Sequence, residues 1–310
     1  MPSQVSVVLP TYNRMRTLPR AVASVLAQDM ADFELIIVDD GSTDDTAAWL
    51  AAQTDPRIHI IAPGRNQGVS TARNLGLAAA QAPIVAFLDS DDVYRPNRLS
   101  VPLKVFAAEP DVVFTLSSAQ KQIRDGRHIA RLPDVKLAGD ALEWALVCDL
   151  VGVETSSITA RTEAARAAGG FCAALSRTED REFLIRLARQ GAAHFLSDVL
   201  WEKSWVDDSL SNERKGGGHD LVAYVEQRPD YAGKYRKVGS YFAARILVAD
   251  LRRGDIASMI SNLRRFRRAG LLPSGLTQFV RDYSAVRAHR RAFSNSPALA
   301  TLAGPPNELL

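Results

Sequence analysis

The sequence predicts an α/β domain built on a mostly parallel sheet with helices on both faces, extended at its C-terminal side by basic helices. Three observations carry that expectation. Strand-like and helix-like periods alternate over residues 5–116 with short connections. The runs ELIIVDD and IVAFLDSDD are apolar almost without interruption, as strands buried on both faces are. Beyond residue 220 the alternation stops and arginine-rich helical spacing takes over.

Each element follows from its own pattern. Residues 5–9 form a short apolar run and read as a strand. Residues 17–28 place Leu18, Ala21, Val22, Val25 and Leu26 at helical spacing. A second strand spans 35–38, and a second helix spans 43–53 behind a Ser/Thr/Asp cluster suited to capping. A third strand (58–62) and an Ala/Leu-rich helix (69–80) follow. Then come a fourth strand (84–88), a fourth helix (97–108) and a fifth strand (112–116). From 117 to 153 the pattern loosens. Residues 155–160 read as a strand, 162–168 as a short helix ended by Gly169-Gly170, and 178–190 as a helix with Phe183, Leu184, Leu187 and Ala188 on one side. Strands are expected at 193–196 and 200–205, and a mobile loop at 212–219, where three glycines fall together.

The 310 residues are 46% hydrophobic and 24% charged, enough apolar material for a large core. The net charge of +3 is unevenly spread: residues 220–310 hold 15 Lys/Arg against 7 Asp/Glu, or +8, and the remainder is −5. The two cysteines, Cys148 and Cys172, lack metal-ligand spacing and read as free thiols in a reducing compartment. No signal peptide and no apolar stretch of membrane-spanning length is legible, so a cytoplasmic location is expected, with peripheral contact at the inner face of a membrane as one variant. The five histidines show no HExxH spacing, and no GxSxG elbow supports a serine triad.

Ligands of open α/β sheets bind beyond the carboxyl ends of the strands. Three polar clusters fall at such ends here: Pro10-Thr11-Tyr12-Asn13, Asp39-Asp40-Gly41-Ser42 and Asp89-Ser90-Asp91-Asp92. Five carboxylates on one rim repel one another, and Mg²⁺ or Mn²⁺ is the natural ion to offset them. Neither GxGxxG after the first strand nor GxxxxGK[ST] is present, which argues against dinucleotide and Walker-type phosphate sites. Simpler roles compete: Asp40, Ser42 and Thr43 as caps of the second helix, Asp92 as a turn residue, Arg73 as an ion-pair partner of the rim, Asn66 and Gly68 as loop formers.

The segments PTYNR (10–14), VDDGSTDDT (38–46), NQGVSTARNLGL (66–77) and FLDSDD (87–92) together resemble the family 2 glycosyltransferases, whose catalytic domain has the Rossmann-like GT-A fold. The resemblance covers residues 3–211. It implies a catalytic domain over 1–215, with a nucleotide-binding half (1–116) and an acceptor-binding half (117–215); charge and helical spacing mark 220–310 as a basic, mainly helical C-terminal region. It further implies that Pro10, Thr11, Tyr12 and Asn13 line a nucleotide pocket and that Asp39 accepts from the base, usually uracil, with Asp40 and Ser42 in the same turn. Arg73 matches a basic residue on the nucleotide side. Asp89-Ser90-Asp91 matches the DxD motif, Asp89 facing ribose and metal and Asp91 ligating the metal that bridges the diphosphate. In LSRTEDREFLIRLARQG, Asp180 stands where inverting members keep their base, with Glu179 beside it to orient it or bind acceptor. At a helix N-terminus the dipole favours the charged forms, while mutual repulsion and desolvation favour protonation; a plain capping role for Thr178 is the alternative.

One stretch departs from the family pattern. In WEKSWVDDSLSN (201–212) Ser209-Leu210-Ser211 fits, but Ser204 and Val206 stand where an Arg and a His are usual, which leaves Asp207 or Asp208 as substitute oxygen ligands. Trp201 and Trp205 read as core aromatics or as a sugar platform, and Arg214 and Lys215 as a lid or a plain loop. The activity implied is inverting, metal-dependent transfer of a sugar from a nucleoside diphosphate donor, UDP above others, to a hydroxyl acceptor in glycan or lipid-linked glycan assembly. A sugar-1-phosphate nucleotidyltransferase and a non-catalytic sugar-nucleotide scaffold are the rivals. In the tail, Arg252, Arg253, Ile256, Met259, Ile260, Leu263 and Arg264-Arg265-Phe266-Arg267-Arg268 suggest an amphipathic cationic face, either laid on anionic lipid or simply solvated. No nucleic-acid-binding signature accompanies the charge.

Overall fold

The computed structural model describes residues 3–123, 126–204, 217–273 and 275–310. Their strands form one sheet in the order β3-β2-β1-β4-β9-β6-β10-β5. These are β1 (Val5–Thr11), β2 (Phe33–Asp39), β3 (Ile58–Ile61), β4 (Ile84–Phe87), β5 (Val93–Tyr94), β6 (Val112–Ile123), β9 (Ile158–Arg161) and β10 (Ala192–Lys203). Two further strands, β7 (Gly126–Ala130) and β8 (Val135–Leu137), flank β6 and β10. The sheet is parallel from β3 to β4 and mixed beyond, because β9 runs antiparallel to both β4 and β6.

Side-chain alternation divides the core into layers. On β1, Val5, Val7 and Leu9 face one layer and Val8 the other; on β4, Ile84, Ala86 and Leu88 oppose Val85 and Phe87. The layer holding Val5 is covered by α1 (Leu18–Leu26) and α4 (Ser100–Ala108). On the other face, α3 (Val69–Ala79) packs directly on β1. A Cβ on Gly76 of α3 would stand 2.4 Å from Val8 Cγ1, so the helix lies this close only because residue 76 lacks a side chain.

In the stretch whose pattern loosens, the described residues include regular elements. β6 runs on to Ile123 as a twelve-residue strand, and α5 (Gly139–Val147) follows β8. The two strands expected near 193–205 are a single strand, β10, bulged at its pairing with β6 between Leu196 and Val199. The bulge interrupts the alternation and makes one strand read as two. The short β5 has too few residues to carry a period.

The C-terminal region comprises α8 (Gly217–Gln227), α9 (Arg236–Arg252), α10 (Ile256–Arg268) and α11 (Leu276–Phe293). It shares a core with the sheet: Tyr231, Val238, Phe266 and Leu309 belong to the same apolar cluster as Val8 and Phe87. No helix among the described residues is long and apolar enough to cross a membrane. Both cysteines are free thiols.

Candidate functional site

The chain leaves β1 for β2 on one side and places β4 on the other, so the loops after β1 and β4 diverge and open a crevice at their carboxyl ends. The crevice holds about 600 Å³. Its walls include Thr11 and Tyr12 from the end of β1, Arg73 from α3, the acidic turn 89–92 and the start of α7 (Glu179–Leu187).

The first two clusters are stapled together by their own polar groups. Asn13, in the left-handed region at φ 52°, accepts from the Thr43 N–H at 2.7 Å, and its own N–H donates to Ser42 Oγ at 2.9 Å. Asp39 accepts from the Ser42 N–H at 3.0 Å. Asp40 uses both carboxylate oxygens on the N–H groups of Gln67 and Gly68, at 2.9 and 2.8 Å, and so fixes the loop that starts α3. Pro10, Thr11, Tyr12 and Asp40 line the crevice, whereas Asn13, Asp39 and Ser42 stand behind it. Gly41 permits this crossing, since at φ +80° a Cβ there would meet the Arg65 backbone at 2.7 Å.

Arg73 joins the two acidic halves. Its guanidinium donates to Asp89 Oδ1 and to Glu179 Oε1, both at 2.7 Å, and lies over the Phe171 ring. Burial opposes its charge, but Asp89 and Glu179 outweigh burial and raise its pKa. Arg73 is therefore committed to protein carboxylates, the ion-pair role, rather than standing open toward a phosphate.

Beside it, the Asp91 carboxylate makes no hydrogen bond or ion pair with another described residue. Burial and then Asp89 raise its pKa, against Arg14 and Lys203. Asp92 is buried deeper. It accepts from Ser156 Oγ at 2.6 Å with one oxygen, while the other is buried without a partner. Burial, then Asp89 and Asp91, hold it well above the usual carboxylate range. Ser156 is itself set by fully buried Arg98, which donates to the Ser156 and Ile158 carbonyls and has no carboxylate partner among the described residues.

Among the described residues no group of three metal-ligating side chains converges. Asp91 and the second oxygen of Asp89 nonetheless fit a divalent ion of the Mg²⁺ or Mn²⁺ type, which typically takes one or two protein carboxylates and completes its shell from water and substrate phosphate. A crevice-lining carboxylate without a direct ion-pair partner is the kind of ligand such an ion takes.

On the other side of Arg73, Thr178 precedes α7 at φ 61° and makes no side-chain cap. Its hydroxyl donates instead to the Arg177 carbonyl at 2.5 Å, so the capping alternative does not describe it. Asp180 accepts from the Arg181 N–H at 2.7 Å. Burial and then Glu179 push its pKa up to about 7, against Arg181 and Arg73. Desolvation and repulsion thus win over the helix terminus. Arg181 anchors the helix by pairing with Asp149, which also receives Arg290 of α11 at 2.6 Å.

Sequence reasoning missed Glu154 and Lys203, which line the crevice and pair with each other at 3.4 Å. Burial lowers the Lys203 pKa, but Glu154, Asp92 and Asp89 reverse this and raise it overall. Glu154 lies in the turn before β9 and Lys203 at the end of β10, and nothing local in the sequence links them. Arg14, Ser176 and Arg177 also line the crevice. Trp201 is 1% exposed and packs in the core rather than forming a platform. Trp205, Val206, Asp207, Asp208, Ser209-Leu210-Ser211, Arg214 and Lys215 lie outside the described residues.

A mixed sheet with a nucleotide-type crevice at its switch point and an acidic turn beside it defines the class as a GT-A fold. Solved S. aureus TarS (residues 1–349, in complex with UDP-GlcNAc) has the same fold, with a TM-score of 0.69 over 97% of this chain and 91% of that one at 18% identity. Residues 6–149 match the family model described as glycosyl transferase family 2. The putative teichuronic acid biosynthesis glycosyltransferase TuaG of Bacillus subtilis (strain 168) is 30% identical over 216 residues, 68% of this chain and 82% of that protein. The chain belongs to glycosyl transferase family 2. The succinoglycan biosynthesis protein ExoO of Rhizobium meliloti (strain 1021) is 38% identical over 141 residues, 43% of this chain and 40% of that protein. The chain spans only 21% to 40% of the length of the first curated relatives it matches.

Proposed function

We propose that the chain is an inverting, metal-dependent glycosyltransferase that moves a sugar from a nucleoside diphosphate, UDP above others, to a hydroxyl acceptor in polysaccharide or lipid-linked glycan assembly. One observation carries the reading. Arg73 ties Asp89 to Glu179, so an open carboxylate (Asp91) and a carboxylate titrating near neutrality (Asp180) stand in one crevice. Asp180 takes the acceptor's hydroxyl proton. The freed oxygen attacks the anomeric carbon, and the bond from that carbon to the diphosphate oxygen breaks with its electron pair leaving on the diphosphate. Glu179, held by Arg73, orients Asp180 and the acceptor. Asp91 and Asp89 hold the divalent ion, which when bound supplies charge neutralisation to the leaving group. Lys203 adds a fixed positive charge at the same wall.

The strand ends of residues 1–116 serve the donor, with Pro10, Thr11 and Tyr12 against the nucleoside, Asp39 and Asp40 shaping its base end, and Ser90 in the acidic turn. Residues 117–215 serve the acceptor, and 220–310 support them. The names of TuaG and ExoO support an assembly role in surface or secreted polysaccharide. The two free thiols suit a cytoplasmic enzyme. A nucleotidyltransferase is disfavoured because PTYNRMR lacks the glycines its phosphate loop requires.

The test is a panel of sugar nucleotides incubated with the chain and Mn²⁺, read as release of nucleoside diphosphate. Slow release from one donor, abolished by EDTA and accelerated by an acceptor, supports the transferase. Pyrophosphate-dependent formation of nucleoside triphosphate would establish the nucleotidyltransferase instead. Binding with no turnover on any donor would establish the scaffold.

A further inference from the structure

Helix α10 is amphipathic twice over. Its inner face packs through Asn262 and Phe266 against α8 and α9. Its outer face carries Ile256, Ile260 and Leu263, spaced so that they form one stripe, and these are 46%, 41% and 46% exposed. Val248 and Leu251 from the end of α9 are also exposed, at 41% and 56%. Five large aliphatic side chains left in water on two packed helices are an unusual expense for a surface with no partner.

The charges around these residues are mostly positive. Arg252, Arg264, Arg265, Arg267 and Arg268 are exposed and have no carboxylate partner among the described residues. The acids of this hairpin are engaged: Asp250 is buried against Arg253 and Asn262, and Asp255 caps α10 by accepting from the Ser258 N–H at 3.0 Å. Arg267 continues the Ile256–Ile260–Leu263 stripe by one further turn, and Arg264 borders it.

We propose that the outer face of α10 and the end of α9 form a docking surface for an anionic lipid bilayer, the aliphatic stripe entering the headgroup boundary and the arginines pairing with lipid phosphates. Apolar residues ringed by unpaired cations match the two attractions such a surface offers. A second copy of the chain fits poorly, because a twofold contact would set the same unpaired arginines against one another. A chain of contacts through α8 links α10 to the crevice. Helix α8, which packs on α10, holds Asp220 against Arg177 at 3.3 Å, and Asp220 accepts from Ser176 Oγ at 3.2 Å; both partners line the crevice. Docking through α10 would hold the chain at a membrane, where a lipid-linked glycan resides. The docking itself does not depend on the proposed chemistry, since vesicle binding and donor turnover are separate measurements.

The experiment is co-sedimentation of the full chain with vesicles of phosphatidylcholine and phosphatidylglycerol in equal parts, at low salt. The chain is expected to sediment with them, to leave phosphatidylcholine vesicles in solution, and to be released as salt rises. Arg264→Gln with Arg267→Gln should weaken partition by about 30-fold, from roughly fivefold per arginine. Ile260→Ser with Leu263→Ser should weaken it comparably, and all four side chains are exposed, so melting temperatures should be unchanged. No sedimentation of the parent chain at low salt overturns the proposal. So does loss through the arginine pair with full retention by the serine pair, which would mark a plain polyanion site. Concentration-dependent oligomers that the serine pair dissolves, without vesicle binding, would assign the face to self-association and overturn it as well.

Discussion

Arg73 faces a carboxylate at each end, and the two acidic groups it joins differ in kind. On the β4 side the acidic turn is crowded and under-compensated: Asp89 has the arginine, Asp91 has no partner, and Asp92 is buried with one oxygen unpaired. On the α7 side there are two carboxylates at a helix start. Glu179 takes the arginine, and Asp180 is left to rise to about 7. The first group gathers more carboxylate than Arg73 alone balances, with Arg14 and Lys203 as further nearby cations. The second avoids full charge by keeping a proton until near neutrality. Carboxyls are raised in both groups, Asp91 and Asp92 in the first and Asp180 in the second, and the groups differ in what surrounds them rather than in their residue types.

The largest effect expected of breaking this contrast is at Asp180. Asp180→Asn should lower kcat by about 10²–10⁴-fold with little change in donor KM, measured as transfer under saturating Mn²⁺. In the parent chain, kcat should rise with pH through about 7 and level off above, since the base must be deprotonated. The linkage has the opposite sense. A carboxyl raised in the folded state binds more protons folded than unfolded, so its contribution to stability falls as pH rises from the ordinary aspartate value toward 7. Asp180→Asn should therefore raise the melting temperature at pH 8 and leave it unchanged at pH 4. Retention of full stability advantage at both pH values would mean the carboxyl is not shifted.

Next comes the bridge. Arg73→Met strands two carboxylates and should cost about 3–5 kcal/mol in urea unfolding, the price of breaking a buried pair. Arg73→Lys keeps the charge but reaches only one carboxylate, and about tenfold in kcat is expected with most of the stability retained. If the lysine variant matched the parent in kcat, the bridge would be structural only. Asp40→Asn should cost about 1–3 kcal/mol, since an amide cannot accept from both Gln67 and Gly68. Smallest is Thr178→Gly. It relieves the left-handed conformation of a β-branched residue and should stabilise by about 1 kcal/mol net of glycine's chain entropy, read as a shifted urea midpoint.

Legibility followed locality. The parallel half was readable because each of its strands is continuous and apolar and each turn carries its polar cluster at a strand end. Residues 117–153 were not, because β6 is a long strand whose polar half pairs with β7, and β8 has only three residues. At the crevice, Asp91 and Asp180 could be singled out from their motifs. The rim half of the Arg73 bridge could be read as an ion pair, but its Glu179 half could not, because no periodicity reports a contact over 106 residues. Lys203 and Glu154 are similar: each is an ordinary surface type in sequence, and the pairing exists only once β10 lies beside the turn before β9.

The central claim is that Asp91 holds the cation through which the diphosphate is gripped. Calorimetric titration of UDP into the parent chain and into Asp91→Ala, each with and without Mn²⁺, tests it directly. The account predicts that Mn²⁺ strengthens binding to the parent, that this gain disappears in the variant, and that metal-free affinity is the same in both. A gain of equal size in the two chains would contradict it.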